Sequence, residues 1–148
     1  MAEESVNPEE MLQLAVGPDK PRGRAELYSP LNLAYIGDAV FSLLARTELI
    51  RGGSLPVNEL SRRTAGLVRA SAQAAMYRFL WDKLSEDERA VMKRGRNANL
   101  HSRAKNAAVS DYRMATGVEA LFGYLYLKGE HRRVTELFDL WSEERKRA

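Results

Sequence analysis

The 148-residue chain has no cysteine, which excludes disulfides and thiolate-held metals. Its only two histidines, His101 and His131, lie far apart in the sequence and speak against a histidine-rich zinc site. No uninterrupted apolar run approaches the ~20 residues that a bilayer span requires, so no membrane partner is expected. Met1-Ala2-Glu3-Glu4-Ser5 is acidic and lacks the charged-then-apolar layout of a secretion signal; a cytoplasmic protein is the expectation. Period-two alternation is nearly absent, and with it any strand signal. Internal repeats and low-complexity tracts are missing as well. So is a large excess of one charge: 23 Lys+Arg against 20 Asp+Glu leave a net charge of +3.

Hydrophobic residues make up 45% of the chain, enough for the core of a single domain of this length. The patterns that remain are helical. Asn7-Pro8-Glu9-Glu10 reads as a short capped helix start. Residues 17–29, with Gly17, Pro18, Pro21 and Gly23, read as a linker, so that 1–28 form a leader and 29–148 the folded domain. Ser29-Pro30 opens a long helix over about 30–50, stopped by Gly52-Gly53. Further helices are expected at about 56–65 and 69–84. A capping box, Ser85-Glu86-Asp87-Glu88, starts another that runs to about Arg94. Residues 95–108 read as a loop. Ser110-Asp111 then caps a second long helix, about 111–128, ended by Gly129. An amphipathic helix closes the chain at about 130–146 through Val134, Leu137, Phe138 and Trp141. The fold class is all-α, with six or seven helices. Most of Tyr35, Phe41, Phe79, Trp81, Phe122, Tyr124 and Tyr126 are assigned to the core.

Two acids stand where helix cores do not welcome them. Asp38 lies within Leu33-Ala34-Tyr35-Ile36-Gly37-Asp38-Ala39-Val40-Phe41, and Glu119 within Gly117-Val118-Glu119-Ala120-Leu121-Phe122-Gly123. Burying an ionised carboxylate without a partner is costly. The glycines beside each acid let two helix backbones approach closely, which would bring one oxygen ligand from each helix to a common point. A hard cation such as Mg²⁺ takes one or two protein carboxylates and keeps several waters, an arrangement suited to phosphodiester hydrolysis. The residues alone leave open that both acids are exposed points on amphipathic helices, or partners of arginines.

The cations are segregated. Leu60 to Trp81 holds Arg62, Arg63, Arg69 and Arg78 and no acid. Lys93 to Lys105 holds Lys93, Arg94, Arg96, Arg103 and Lys105, again with no acid. Acids gather at 3–10, 82–88 and 136–144. A basic face on a near-neutral protein is the footprint of a polyanion. Asn97, Asn99, His101, Ser102 and Asn106 add neutral hydrogen-bonding groups, a set able to grip the phosphates and 2′-hydroxyls of an A-form duplex. An anionic membrane is disfavoured, because the basic stretches have no companion stripe of large exposed apolar residues. A phosphohydrolase of the histidine–aspartate type is disfavoured, since neither histidine precedes an aspartate.

Leu33-Ala34-Tyr35-Ile36-Gly37-Asp38-Ala39-Val40 resembles the signature helix of ribonuclease III catalytic domains. Gly95-Arg96-Asn97-Ala98, Lys105-Asn106 and Tyr112-Arg113-Met114-Ala115-Thr116-Gly117-Val118-Glu119-Ala120-Leu121-Phe122-Gly123 follow in the family's order, most like its dwarf bacterial branch, Mini-ribonuclease III. The resemblance covers about 30–140. It implies an all-helical endonuclease domain that works as a homodimer on double-stranded RNA. It implies Mg²⁺-dependent hydrolysis leaving 5′-phosphate and 3′-hydroxyl ends, with precursor large-subunit (23S) ribosomal RNA as substrate. Asp38 and Glu119 then become the catalytic, metal-binding pair. Arg94, Arg96, Lys105 and Arg113 become phosphate contacts, Asn97 and Asn106 neutral donors, and Tyr35 a dimer contact that fills a pocket on the partner, with core packing as its alternative. Leu31, Ala34 and Thr116 stand where larger members carry acids, so more of the ion's shell falls to water or RNA phosphate. Only a few residues follow the last helix, and a double-stranded-RNA-binding domain is not expected. The sequence leaves open whether a ribosomal protein assists. The alternative function is a non-catalytic RNA-binding module on the same fold.

Overall fold

The computed structural model describes residues 7–10, 24–98 and 107–147. Among these residues the chain is helical and has no strand. A 3₁₀ turn at Ala25–Leu27 precedes six helices: α1 (Pro30–Arg51), α2 (Val57–Val68), α3 (Ala70–Leu80), α4 (Glu86–Asn97), α5 (Ala107–Lys128) and α6 (His131–Arg147). A second 3₁₀ turn, Trp81–Lys83, links α3 to α4.

Local chemistry sets most of the boundaries. Ser29 Oγ accepts from the Asn32 amide at 3.2 Å, with Pro30 at the first helical position of α1. Gly52 closes α1, and Gly53 turns the chain at φ 126°. Ser85 and Glu88 cap α4 reciprocally: the Ser85 amide donates to Glu88 Oε1 at 2.8 Å, and the Glu88 amide donates to Ser85 Oγ at 3.2 Å. Gly129, at φ 83°, takes the left-handed turn between α5 and α6. Asn7 Oδ1 accepts from the Glu10 amide at 2.8 Å, capping a single turn over 8–10.

The helix α5 is the axis of the domain. It packs against α1, α3 and α4 and buries Val118, Ala120, Leu121, Phe122, Tyr124 and Leu125. Phe41 of α1 meets Phe122 and Phe138 edge-on, each at 5.6 Å between ring centroids. Two polar clasps hold α6. Arg133 Nε donates to the buried Glu88 at 2.8 Å, and its Nη2 donates to the Lys83 carbonyl at 2.9 Å. Glu48 of α1 accepts from Ser142 and from Arg145, the latter at 2.8 Å.

Several expectations are corrected. The stretch 95–108 is not a loop throughout, because α4 continues to Asn97 and α5 already begins at Ala107. Ser110-Asp111 therefore lies inside α5 and does not start it. Gly95 does not break α4: it lets α4 sit against α5, where a Cβ would come within 2.7 Å of Ala120 Cβ and 2.9 Å of Gly117 Cα. The helix expected over 69–84 ends at Leu80 in a 3₁₀ turn, and α2 extends three residues past its expected end, to Val68. Part of the expected linker, Ala25–Leu27, is a 3₁₀ turn with Ala25 in the core. Tyr35 is not a core residue; it is 84% exposed. Trp81 is also partly exposed, its ring stacked on Tyr77 at 5.9 Å.

Candidate active site

The crossing of α1 and α5 is made by glycine. A Cβ on Gly37 would collide with the Glu119 carbonyl and would sit 2.8 Å from the Gly123 nitrogen. A Cβ on Gly123 would collide with the Leu33 carbonyl and approach Ile36 Cγ2 to 2.9 Å. The two backbones are therefore in direct contact at the level of the acids. Glycine in a helix interior costs about 1 kcal/mol relative to alanine. Here the cost is offset by an approach that no other residue permits.

This contact brings Asp38 and Glu119 together. Their side chains are hydrogen-bonded to one another. Between the buried and exposed readings that the residues left open, the two acids divide: Asp38, on the outer side of α1, is exposed, whereas Glu119 is half-buried. Burial, the hydrogen bond that its protonated carboxyl donates to Asp38 and the charge of Asp38, in that order, push the Glu119 carboxyl up to about 8. With its carboxyl near 8, Glu119 keeps its proton at neutral pH. A divalent cation would replace that proton and relieve the repulsion, so the donor set fits a hard ion. No cluster of three or more His, Asp or Glu side chains that could hold an ion occurs among the described residues. Thr116, one turn before Glu119, is buried, and its hydroxyl donates to the Tyr112 carbonyl at 3.0 Å. It is turned back into its own helix.

Of the other expected site residues, those described lie on α1, α4 and α5. Arg94 and Arg96 flank Gly95, which seats α4 on the turn of α5 that leads to Glu119. Arg94 and Asn97 are exposed; Arg96 is half-buried, its guanidinium 5.7 Å from the Tyr77 ring centroid and its Nε donating to Asn97 Oδ1 at 3.3 Å. Arg113 lies one turn before Gly117 on α5 and is half-buried. Lys105 and Asn106 lie outside the described residues. Arg78 pairs with Asp111 at 3.5 Å.

Sequence reasoning missed an apolar strip. Leu31, Tyr35 and Leu43 on α1, Ile50 near its end and Val57 at the start of α2 are all exposed. Beside it lies a hollow lined by Arg46, Leu49, Ile50, Val57, Leu60, Ser61 and Thr64. The signal was present: α1 is apolar around most of its circumference, although only one side faces the core. No helix among the described residues is long and apolar enough to cross a membrane.

Residues 31–130 match the Ribonuclease III domain family. Mini-ribonuclease 3 of Thermoanaerobacter sp. (strain X514) is 46% identical over 112 residues, covering 76% of this chain and 79% of that protein. Mini-ribonuclease 3 of Brevibacillus brevis is 47% identical over 111 residues, covering 75% and 83%. The Staphylococcus aureus protein of the same name is 35% identical over 116 residues, covering 77% and 87%. Among solved structures, a Fusobacterium nucleatum protein superposes with a TM-score of 0.70 at 26% identity, over 80% of this chain and 95% of that one.

Proposed function

The chain belongs to the ribonuclease III family and is an endoribonuclease of that type, and from this premise we propose that it is a cytoplasmic, Mg²⁺-dependent homodimer that cleaves double-stranded RNA at Asp38 and Glu119. The observation that carries the reading is the hydrogen-bonded pair of acids at a glycine-made helix crossing. Mg²⁺ bound there would acidify a water and neutralise charge on the phosphoryl oxygens. Glu119, raised to about 8, would hold the ion with Asp38 once its proton is released. Asp38, exposed beside it, presents its carboxylate to solvent and substrate. Arg94, Arg96 and Arg113 hold the RNA backbone, with Asn97, Lys105 and Asn106 as further contacts. The grip comes from the helical domain itself, over 29–148, and the products carry 5′-phosphate and 3′-hydroxyl ends. The likeness to Mini-ribonuclease III motifs directs the substrate assignment to duplex ends of precursor 23S ribosomal RNA.

The dimer reading draws on the apolar strip of α1 and α2. A strip of large exposed apolar side chains marks an interaction surface. Tyr35 projects from its middle, and the hollow between α1 and α2 offers a receiving pocket on a second copy. A two-fold pair supplies two sites, one for each strand.

The test is cleavage of a plain RNA duplex with and without Mg²⁺, by the wild type and by Asp38→Asn. The wild type cleaves only with the ion. Asp38→Asn loses cleavage by at least about 10³-fold, the scale of a removed catalytic group, yet binds the duplex with unchanged affinity. Wild-type cleavage rates in the variant would overturn the assignment. Binding without cleavage by the wild type would turn the reading to a non-catalytic RNA-binding module.

A further inference from the structure

Tyr112, more exposed than Tyr28 or Trp81, is an aromatic that neither the core, nor the apolar strip, nor the acid pair accounts for. It is 56% exposed on α5, a helix that turns Phe122 and Tyr124 inward. Its ring takes part in no aromatic or cation–π contact among the described residues. Seven residues separate it from Glu119. At 3.6 residues per turn that is nearly two full turns, so both side chains leave α5 on the same side, about 10 Å apart along the axis. Thr116 lies between them on that side and is spent on the Tyr112 carbonyl. The next polar side chain along this face beyond Glu119 is therefore the phenol. The neighbouring acid, Asp111, is paired with Arg78 at 3.5 Å, and the following residue is Arg113. An exposed phenol next to an arginine is suited to donate a hydrogen bond to an anionic or hydroxyl-rich backbone.

We propose that Tyr112 is a substrate-contacting residue whose hydroxyl donates to a backbone oxygen of the RNA strand, a phosphate oxygen or a 2′-hydroxyl, a few nucleotides from the bond cut at Asp38 and Glu119. The inference rests on the cleavage reading above. Duplex RNA is recognised chiefly through such oxygens, not through base edges. The contact lies away from the reacting atoms, so it contributes to binding and register, and leaves the chemical step unchanged.

The experiment compares wild type with Tyr112→Phe and Tyr112→Ala on a short RNA duplex at fixed salt. Loss of one hydrogen bond corresponds to about a five- to tenfold rise in KM. Tyr112→Phe is expected to raise KM by that amount with kcat within about twofold, and Tyr112→Ala to raise it further. Both variants melt at the wild-type temperature, since the side chain is exposed. Duplexes with 2′-deoxy substitutions identify the acceptor: if the penalty of Tyr112→Phe vanishes on them the partner is a 2′-hydroxyl, and if it persists the partner is a phosphate. KM values within twofold of wild type for both variants would overturn the proposal. Duplex binding by Asp38→Asn, with and without Tyr112→Phe, keeps this outcome apart from failure of the cleavage reading. Equal affinities there overturn the Tyr112 contact whether or not the wild type cleaves.

Discussion

At the level of single residues, the telling group is Glu119. Its carboxyl is pushed up to about 8 by burial and by Asp38, whereas in the unfolded chain it titrates near the ordinary carboxylate value. The folded protein therefore binds the extra proton between about pH 4.5 and pH 8. Stability from this group is fully present below that window and declines as pH rises through it. The melting temperature of the metal-free protein is expected to fall from pH 5 to pH 8. Added Mg²⁺ should restore it more at pH 8 than at pH 5. Asp38→Asn removes the facing charge, so its metal-free melting temperature should exceed that of the wild type at pH 8 and show a shallower decline. Thermal melts across this range check all three points; an equal Mg²⁺ effect at both pH values would separate Glu119 from the ion. A variant more stable and inactive is the usual mark of a site whose function strains the fold.

Elements carry the next set of constraints. Gly37→Ala places a methyl group against the Glu119 carbonyl, and that partner is backbone and cannot swing aside. The expected cost is about 3 kcal/mol or more, measurable by denaturant unfolding; Gly123→Ala should behave alike against the Leu33 carbonyl. A loss below about 1 kcal/mol at both positions would mean that the helices stand farther apart than described. The same glycines show what the sequence could and could not disclose. Beside Asp38 and Glu119 they announced a close crossing, because a small residue next to an acid in an apolar helix has few other uses. Gly95 was read as the first residue of a loop and is instead a contact point within α4 for α5. Helix starts were legible where the cap is local, as at Ser29-Pro30 and the Ser85 box. They were not where Ser110-Asp111 imitated a cap inside a helix that begins at Ala107. Exposure of Asp38 was only one of the readings left open, since an apolar helix with one side bare reads the same as one covered all round.

For the whole molecule, the bare side of α1 is the dominant feature. Tyr35→Glu puts a charge in the middle of the apolar strip. If that strip is the seam between two copies, the variant should sediment as a monomer and lose most of its cleavage activity while its helical content is unchanged. Sedimentation at micromolar concentration decides the point, and a variant that remains dimeric would move the seam elsewhere. The fold and the acid pair were readable from 31–130 because both rest on short motifs. Of the apolar strip only Tyr35 was marked, as the dimer contact that the family resemblance implies; Leu31, Leu43, Ile50 and Val57, exposed like it, carry no such mark in the sequence.

Backbone resting on backbone between Gly37 and Glu119 has one more consequence. No compliant layer of side chains lies between the two helices that bear the acids, so they cannot drift apart while the rest of the domain stays intact. Warming should therefore yield no loosened, half-active population. Cleavage should persist up to the cooperative melt and vanish with it, and the amide protons of α1 and α5 beside that crossing should exchange only when the entire domain opens.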